Sequence, residues 1–304
     1  MDTNETITHS EGGNSTSFGG QELTRTRVSS LMEKNFMAVN LFAFDTVGVR
    51  VYPERGGMVT SLRFGDTEIL YQGMLDETLF DTTKTVKGGV PILFPNAGPL
   101  TEDQKNNSGY TLPQHGFART NPWKMETAVM ENQLLQSLNS TDVSDNFGYP
   151  FRGSILNALS AESKNSFLFE YFILNRGEQP LPIALGLHPY FSVPMGDKSL
   201  IEWNFRGGEQ IRDELEKWSN GGTTKIDIPK DGKLHIVIPG IGKLDISVSP
   251  DFQRLWIWSL PGKDFVCIEP VMSDAGGIVE NPVVIPPNSD HTSFMRIALL
   301  GEDA

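Results

Sequence analysis

The chain of 304 residues holds one cysteine, Cys267, which excludes an intramolecular disulfide and any zinc site built from several cysteines. Excess basic charge is also missing: 38 acidic residues against 25 basic ones leave a formal charge of −13, which argues against phosphate-backbone or anionic-lipid partners. No run approaches the roughly 18 apolar residues of a membrane helix. The opening MDTNETITHSEGG has neither the basic start nor the apolar stretch of a secretory signal. These absences lead us to expect a cytoplasmic protein with no nucleic-acid and no membrane partner. Neither GxGxxG nor GxxxxGK[ST] occurs, so a nucleotide-binding α/β fold loses its main support. No HxH pair occurs either, and that closely spaced pair is frequent in metal-dependent β-barrel enzymes.

What the chain has is glycine, 30 of them, punctuating short apolar runs. NFMAVNLFAF, VGVRVYPE, MVTSLRF, SFLFEYFILN, LIEWNFRG, KLHIVIPG, KLDISVSP, RLWIWSLPG, FVCIEP and SFMRIALLG are rich in aromatic and branched residues and are bounded by Gly, Pro, Asn or Asp. So many short strands predict an all-β fold, a large antiparallel sandwich or barrel, with few short helices. Residues 1–35 are dominated by Thr, Ser, Asn and Gly up to residue 30 and are expected to form a disordered tail. Residues 36–304 are expected to form a single β domain. Helical periodicity is confined to residues 212–218 and, faintly, 131–138, while residues 106–109, 220–222 and 231–232 read as turns.

Three stretches carry side chains suited to proton transfer. In Gln114-His115-Gly116-Phe117-Ala118-Arg119, an amide, an imidazole and a guanidinium fall within six positions, a donor set for sugar hydroxyls. His188, between ALGL and Pro-Tyr-Phe, belongs at the edge of a buried region, as a catalytic or a hydrogen-bonded core histidine. Glu269 follows FVCI and precedes proline; a carboxylate there lines a cleft or forms a structural ion pair. Lys87 precedes a double glycine, where it is either a ligand contact or a solvated hairpin lysine.

Taken in order, GGVPILFP, QHGFAR, LGLHPYF and IEP resemble the aldose 1-epimerase, or galactose mutarotase-like, superfamily, particularly its hexose-6-phosphate mutarotase branch. The resemblance spans residues 36 to 300. It implies a β-supersandwich, no redox cofactor, and a sugar or sugar phosphate as the small-molecule partner; we also expect no other cofactor, no metal and a monomer. It also implies that Glu269 is the general base on the anomeric hydroxyl and His188 the acid on the ring oxygen. His115, Gln114, Arg119, Lys87 and Asp213 then become substrate-binding residues. The phosphosugar branch carries arginine immediately before the double glycine. Lys87 keeps the charge but not the planar two-pronged contact with phosphate.

Two other functions fit the same residues. A non-catalytic carbohydrate-binding protein would stack Trp258 and Tyr190 on a sugar and needs no acid and base. A metal-dependent enzyme would use His115, His188 and Glu269 as ligands.

Overall fold

The computed structural model describes residues 26–126, 132–143, 147–215 and 222–301. Its strands form antiparallel sheets. Arg27–Glu33, Phe36–Ala43, Val47–Tyr52, Met58–Phe64 and Thr67–Glu68 make a five-stranded meander in chain order. An eight-stranded sheet runs Glu202–Trp203, Lys233–Ile238, Gly242–Val248, Asp290–Leu299, Ser166–Asn175, Gly153–Ser163, Gln133–Asn139, Lys124–Met125. The sheet that carries the candidate site runs Gly222–Asp227, Arg254–Ser259, Phe265–Val271, Gly186–Leu187, Ile92–Leu93, and Tyr190–Ser192 also pairs with Phe265–Val271.

Side-chain alternation explains the layering. Along Ser166–Asn175 every second residue is buried, so Phe167, Phe169, Tyr171 and Ile173 face inward and the intervening positions lie at the surface. One apolar cluster joins the three large sheets: Val39 and Leu62 come from the meander, Phe167 and Ile173 from the eight-stranded sheet, and Ile257 and Ile268 from the site sheet. Phe265–Val271 departs from alternation because all seven of its residues are buried. It is covered on both faces, as a central strand between layers must be.

Three expectations need correction. Ordered structure begins before residue 36: Arg27–Glu33 is a strand in full register with Phe36–Ala43, Arg27 opposite Phe42 and Glu33 opposite Phe36. Its side chains are mostly exposed, so backbone hydrogen bonds hold it and composition does not reveal it. Residues 1–25 lie outside the described residues. The faint helical period over residues 131–138 belongs to the strand Gln133–Asn139, whose partners Ser154 to Ser160 bury Leu134 and Leu138. Residue 131 is outside the described residues. Residues 106–108 are not a turn but the end of the helix Glu102–Ser108, which a Thr101/Gln104 capping box starts and a left-handed Gly109 stops.

The helix expected at residues 212–218 is found as Gly208–Leu215, and 216–221 lie outside the described residues. Among the described residues no helix is long and apolar enough to cross a membrane.

Candidate active site

The site grows from one face of the central strand. Val266 and Ile268 point into the main core, which turns Phe265, Cys267, Glu269 and Val271 to the opposite face. Antiparallel register then sets their neighbours. Trp256 stands opposite Glu269, and Trp258 opposite Cys267. One strand further out, Lys225 is opposite Trp256; on the other side, Tyr190 is opposite Cys267. Lys225, Trp256 and Glu269 therefore form one row across three strands, with the lysine Nζ 4.3 Å from the Trp256 ring centroid.

His188 reaches this face from the break between Gly186–Leu187 and Tyr190–Ser192. Its backbone N–H donates to the Pro91 carbonyl at 3.0 Å, and the N–H of Tyr190 donates to the Gly89 carbonyl at 2.9 Å. The double glycine makes that docking possible. Gly89 has a left-handed φ of 65°, and a Cβ there would lie 2.3 Å from the Val59 carbonyl oxygen. The imidazole stacks on Tyr190, with centroids 4.9 Å apart and planes at 12°, and meets the edge of Trp258 at 5.8 Å. Its Nε2 lies 3.4 Å from Glu269 Oε1. Its Nδ1 is buried without a hydrogen-bond partner.

His115 is pinned in a second loop. Its φ is 68°, and the following Gly116 sits where a Cβ would be 2.1 Å from the Phe94 carbonyl oxygen. That same oxygen accepts the N–H groups of Phe117 and Ala118 at 2.9 and 3.1 Å. The N–H of His115 donates to the Gly98 carbonyl at 3.1 Å, and the N–H of Gly98 donates back to His115 Nδ1 at 3.0 Å. An accepting Nδ1 places the neutral ring's proton on Nε2. The Gln114 amide nitrogen lies 3.2 Å from that nitrogen, and with the proton on His115 Nε2 the amide must turn its oxygen there to accept it. Arg119 donates to the Gln114 carbonyl at 3.0 Å, leaving its own Nε buried and unpartnered.

Burial governs the charges. It pushes His115 down to about 3, with the Arg119 guanidinium adding to the effect. Burial likewise lowers His188 well below the ordinary imidazole value, reinforced by His115, Arg119 and Lys87. Glu269, 2% exposed, is raised well above the usual carboxylate range by burial, against the pull of Lys225 and Arg119. Burial disfavours the charged form of both members of the contact, and a carboxylic acid beside a neutral imidazole is the arrangement it favours. That pair holds one proton, the same count as a carboxylate beside an imidazolium.

Six of the seven residues singled out from the sequence have described side chains. Glu269, His188, His115, Gln114 and Arg119 form a linked set, and Lys87 places Nζ 5.5 Å from the Trp258 ring that also edges His188. Asp213 falls in the helix Gly208–Leu215, and its side chain lies outside the described residues. Lys225, Trp256 and Cys267 share the site face without having been singled out as site residues. Their signal is the two-residue period of TTKID, RLWIWS and FVCIEP, read together across three strands.

The metal-ligand set suggested by sequence, His115 with His188 and Glu269, is not the one the fold groups. His115 spends Nδ1 on Gly98, whereas His188, Cys267 and Glu269 bring ligating atoms within 4.8 Å of one another. A cavity of about 830 Å³ lies instead on the five-stranded sheet, lined by residues such as Asn40, Arg50, Arg63 and Phe80. Its lining holds no histidine, so it is separate from the proton-handling set.

Residues 49–214 match the family model described as aldose 1-epimerase, a stretch that takes in Lys87, the Gln114–Arg119 loop and His188 and ends before Glu269. The chain belongs to the aldose 1-epimerase family. Among curated relatives of this epimerase-family chain, a Salmonella typhimurium protein named "Putative glucose-6-phosphate 1-epimerase" is 35% identical over 83 residues. That match spans only 25% of each of the two proteins. Solved structures extend the likeness across the fold. The Slr1438 protein of Synechocystis sp. PCC 6803 superposes with a TM-score of 0.73 at 24% identity, covering 94% of this chain and 98% of its own. A galactose mutarotase-like protein from Clostridium acetobutylicum gives 0.69 at 16% identity, covering 90% of this chain and 99% of its own. The antiparallel sandwich is thus the family's own fold, as the strand pattern led us to expect.

Proposed function

We propose that this chain is an aldose 1-epimerase that interconverts the α and β anomers of a hexose 6-phosphate, with Glu269 and His188 as its proton-transfer pair. The observation that carries the reading is the 3.4 Å contact between His188 Nε2 and Glu269 Oε1 on a buried face. Anomer exchange needs one proton taken from the C1 hydroxyl and one given to the ring oxygen. Both oxygens are bonded to C1, so the acid and the base must each lie within about one hydrogen-bond length of its own oxygen, and therefore in one small site. An imidazole and a carboxyl group on one buried face can meet that demand.

Transfer of the shared proton across the contact yields Glu269 carboxylate and His188 imidazolium. Glu269 then accepts the C1 hydroxyl proton as His188 protonates the ring oxygen, the C1 to ring-oxygen bond breaks, and an open-chain aldehyde forms. Rotation about the C1–C2 bond presents the other face of the carbonyl. Closure with the roles reversed restores the starting proton count. His115 donates from Nε2, and with Gln114 it fixes the hydroxyls; neither needs to titrate.

The phosphate reading rests on charge. Lys87 and Arg119 have no carboxylate within ion-pair reach among the described residues, although the chain as a whole carries −13. Two unpaired cations beside a neutral acid–base pair favour an anionic ligand.

Exchange spectroscopy on glucose, galactose and their 6-phosphates tests both levels. Acceleration confined to the phosphates supports the whole reading, and acceleration of neutral sugars alone removes its phosphate part. No acceleration of any of the four, from folded protein, removes the enzyme.

A further inference from the structure

Cys267 takes no part in the chemistry above, yet the fold puts it beside the reacting pair. It precedes Glu269 by two residues on the same face of the strand and is completely buried. Its sulfur, the Glu269 carboxylate and the His188 imidazole present three ligating atoms mutually within 4.8 Å. The 3.4 Å between His188 Nε2 and Glu269 Oε1 also equals about one edge of a tetrahedron around an ion bound at about 2.0–2.2 Å. A zinc–sulfur length is about 2.3 Å, so the sulfur is the third donor of the face.

We propose that His188, Glu269 and Cys267 form an inhibitory binding site for a thiophilic divalent cation of the zinc class, whose arrival takes both proton-transfer groups out of action. The donor set selects the ion. One sulfur, one nitrogen and one carboxylate oxygen suit zinc-like ions, whereas magnesium and calcium prefer oxygen alone. Binding releases one proton from the Cys267 thiol and one from the Glu269 carboxyl to solvent, and the dication with the resulting thiolate and carboxylate is then neutral, so no net charge is left on the bound set. Three protein ligands leave a fourth position for water.

Two features keep the affinity modest and the inhibition reversible. His188 Nδ1 lacks the partner that ordinarily fixes a ligating imidazole, and Lys87 and Arg119 bring positive charge near the ion.

The test uses Co²⁺ as a spectroscopic substitute on the full chain. Because the chain has one cysteine, a near-ultraviolet thiolate-to-cobalt band in the unmodified protein reports Cys267 directly. Zn²⁺ should abolish the band by displacement, inhibit anomer exchange in competition with sugar, and lose its effect when chelated. In Cys267→Ser the band should vanish, and the zinc concentration for half inhibition should rise by at least about tenfold. Exchange without zinc should persist in that variant. No band at saturating Co²⁺ would overturn the proposal, as would equal zinc sensitivity of the serine variant. Should Cys267→Ser fail to fold, the band in the unmodified protein decides alone. That band does not depend on activity, so a metal-binding protein without exchange activity would refute the enzyme reading and leave this site standing.

Discussion

The imidazoles of His115 and His188 meet edge to face, centroids 5.7 Å apart and planes at 77°, so a charge on either ring disfavours a charge on the other. Two cationic histidines cannot be held at that separation in a buried site without large cost. Burial and this mutual repulsion both favour neutral rings at the candidate site, and the expected pH behaviour follows from that.

In kcat/KM against pH, the acid limb should lie below the ordinary imidazole value of 6.5, because burial lowers His188. The alkaline limb should lie above the ordinary carboxylate value of 4.5, because burial raises Glu269. Between them the pair keeps its single proton and the rate should be level. An acid limb centred at the unperturbed imidazole value would show that His188 is solvated in the working enzyme.

Glu269→Gln and His188→Asn should each slow anomer exchange by about 10²–10⁴-fold, the usual worth of a positioned acid or base. Circular dichroism should remain that of the parent. Exchange within threefold of the parent in both variants would remove the pair from the mechanism.

His115 also ties stability to acidity. Its folded value of about 3 lies below its ordinary 6.5, so the unfolded chain binds the extra proton as pH falls through that interval. The stabilisation is complete above 6.5 and is lost toward 3, with a slope of about 1.4 kcal/mol per pH unit for this one group. Urea midpoints measured across the interval should show a slope shallower by about one proton in His115→Gln than in the parent. Identical slopes would mean that His115 takes up its proton equally in the folded and the unfolded chain.

Substrate charge should be read at Lys87. Lys87→Ala should raise KM for a hexose 6-phosphate by about 10–100-fold, the range expected for one charge-assisted hydrogen bond, and leave a neutral hexose unchanged. Lys87→Arg should lower that KM, since a guanidinium grips phosphate with two parallel N–H groups. Equal effects on charged and neutral sugars would detach Lys87 from phosphate.

Gly116→Ala should be costly out of proportion to its size. The added methyl falls 2.1 Å from the Phe94 carbonyl oxygen at a φ of 67°, so the loop holding His115 must move. A loss of about 1–3 kcal/mol in stability, with a weaker KM, is the expected result. Gly65→Ala makes a useful control, because its φ is similarly left-handed and nothing lies within 4 Å of the added carbon.

Most of the sheet content was legible because apolar runs such as SFLFEYFILN and RLWIWS are self-announcing in period and composition. Strands whose side chains face solvent were not: Arg27–Glu33 is specified by pairing with its neighbour, which no single segment displays. Gly153–Ser163 escaped for a related reason, its serines and alanines being small enough to resemble loop. In the site, His115, His188 and Glu269 stood out because proton-active side chains interrupt apolar context. Lys225 and Cys267 did not, since their meaning comes from register across three strands. The protonation of the pair was equally hidden, because it depends on burial that only the assembled sheets create.

Glu269 is fastened to a strand whose seven residues are all covered. A carboxyl group mounted on a flexible loop can be misplaced while the protein stays folded; here the group proposed as the base is part of the frame. Heat or denaturant should extinguish anomer exchange and tertiary structure in a single event, and variants selected for greater thermal endurance need not sacrifice turnover, because the proposed base and the scaffold share one strand.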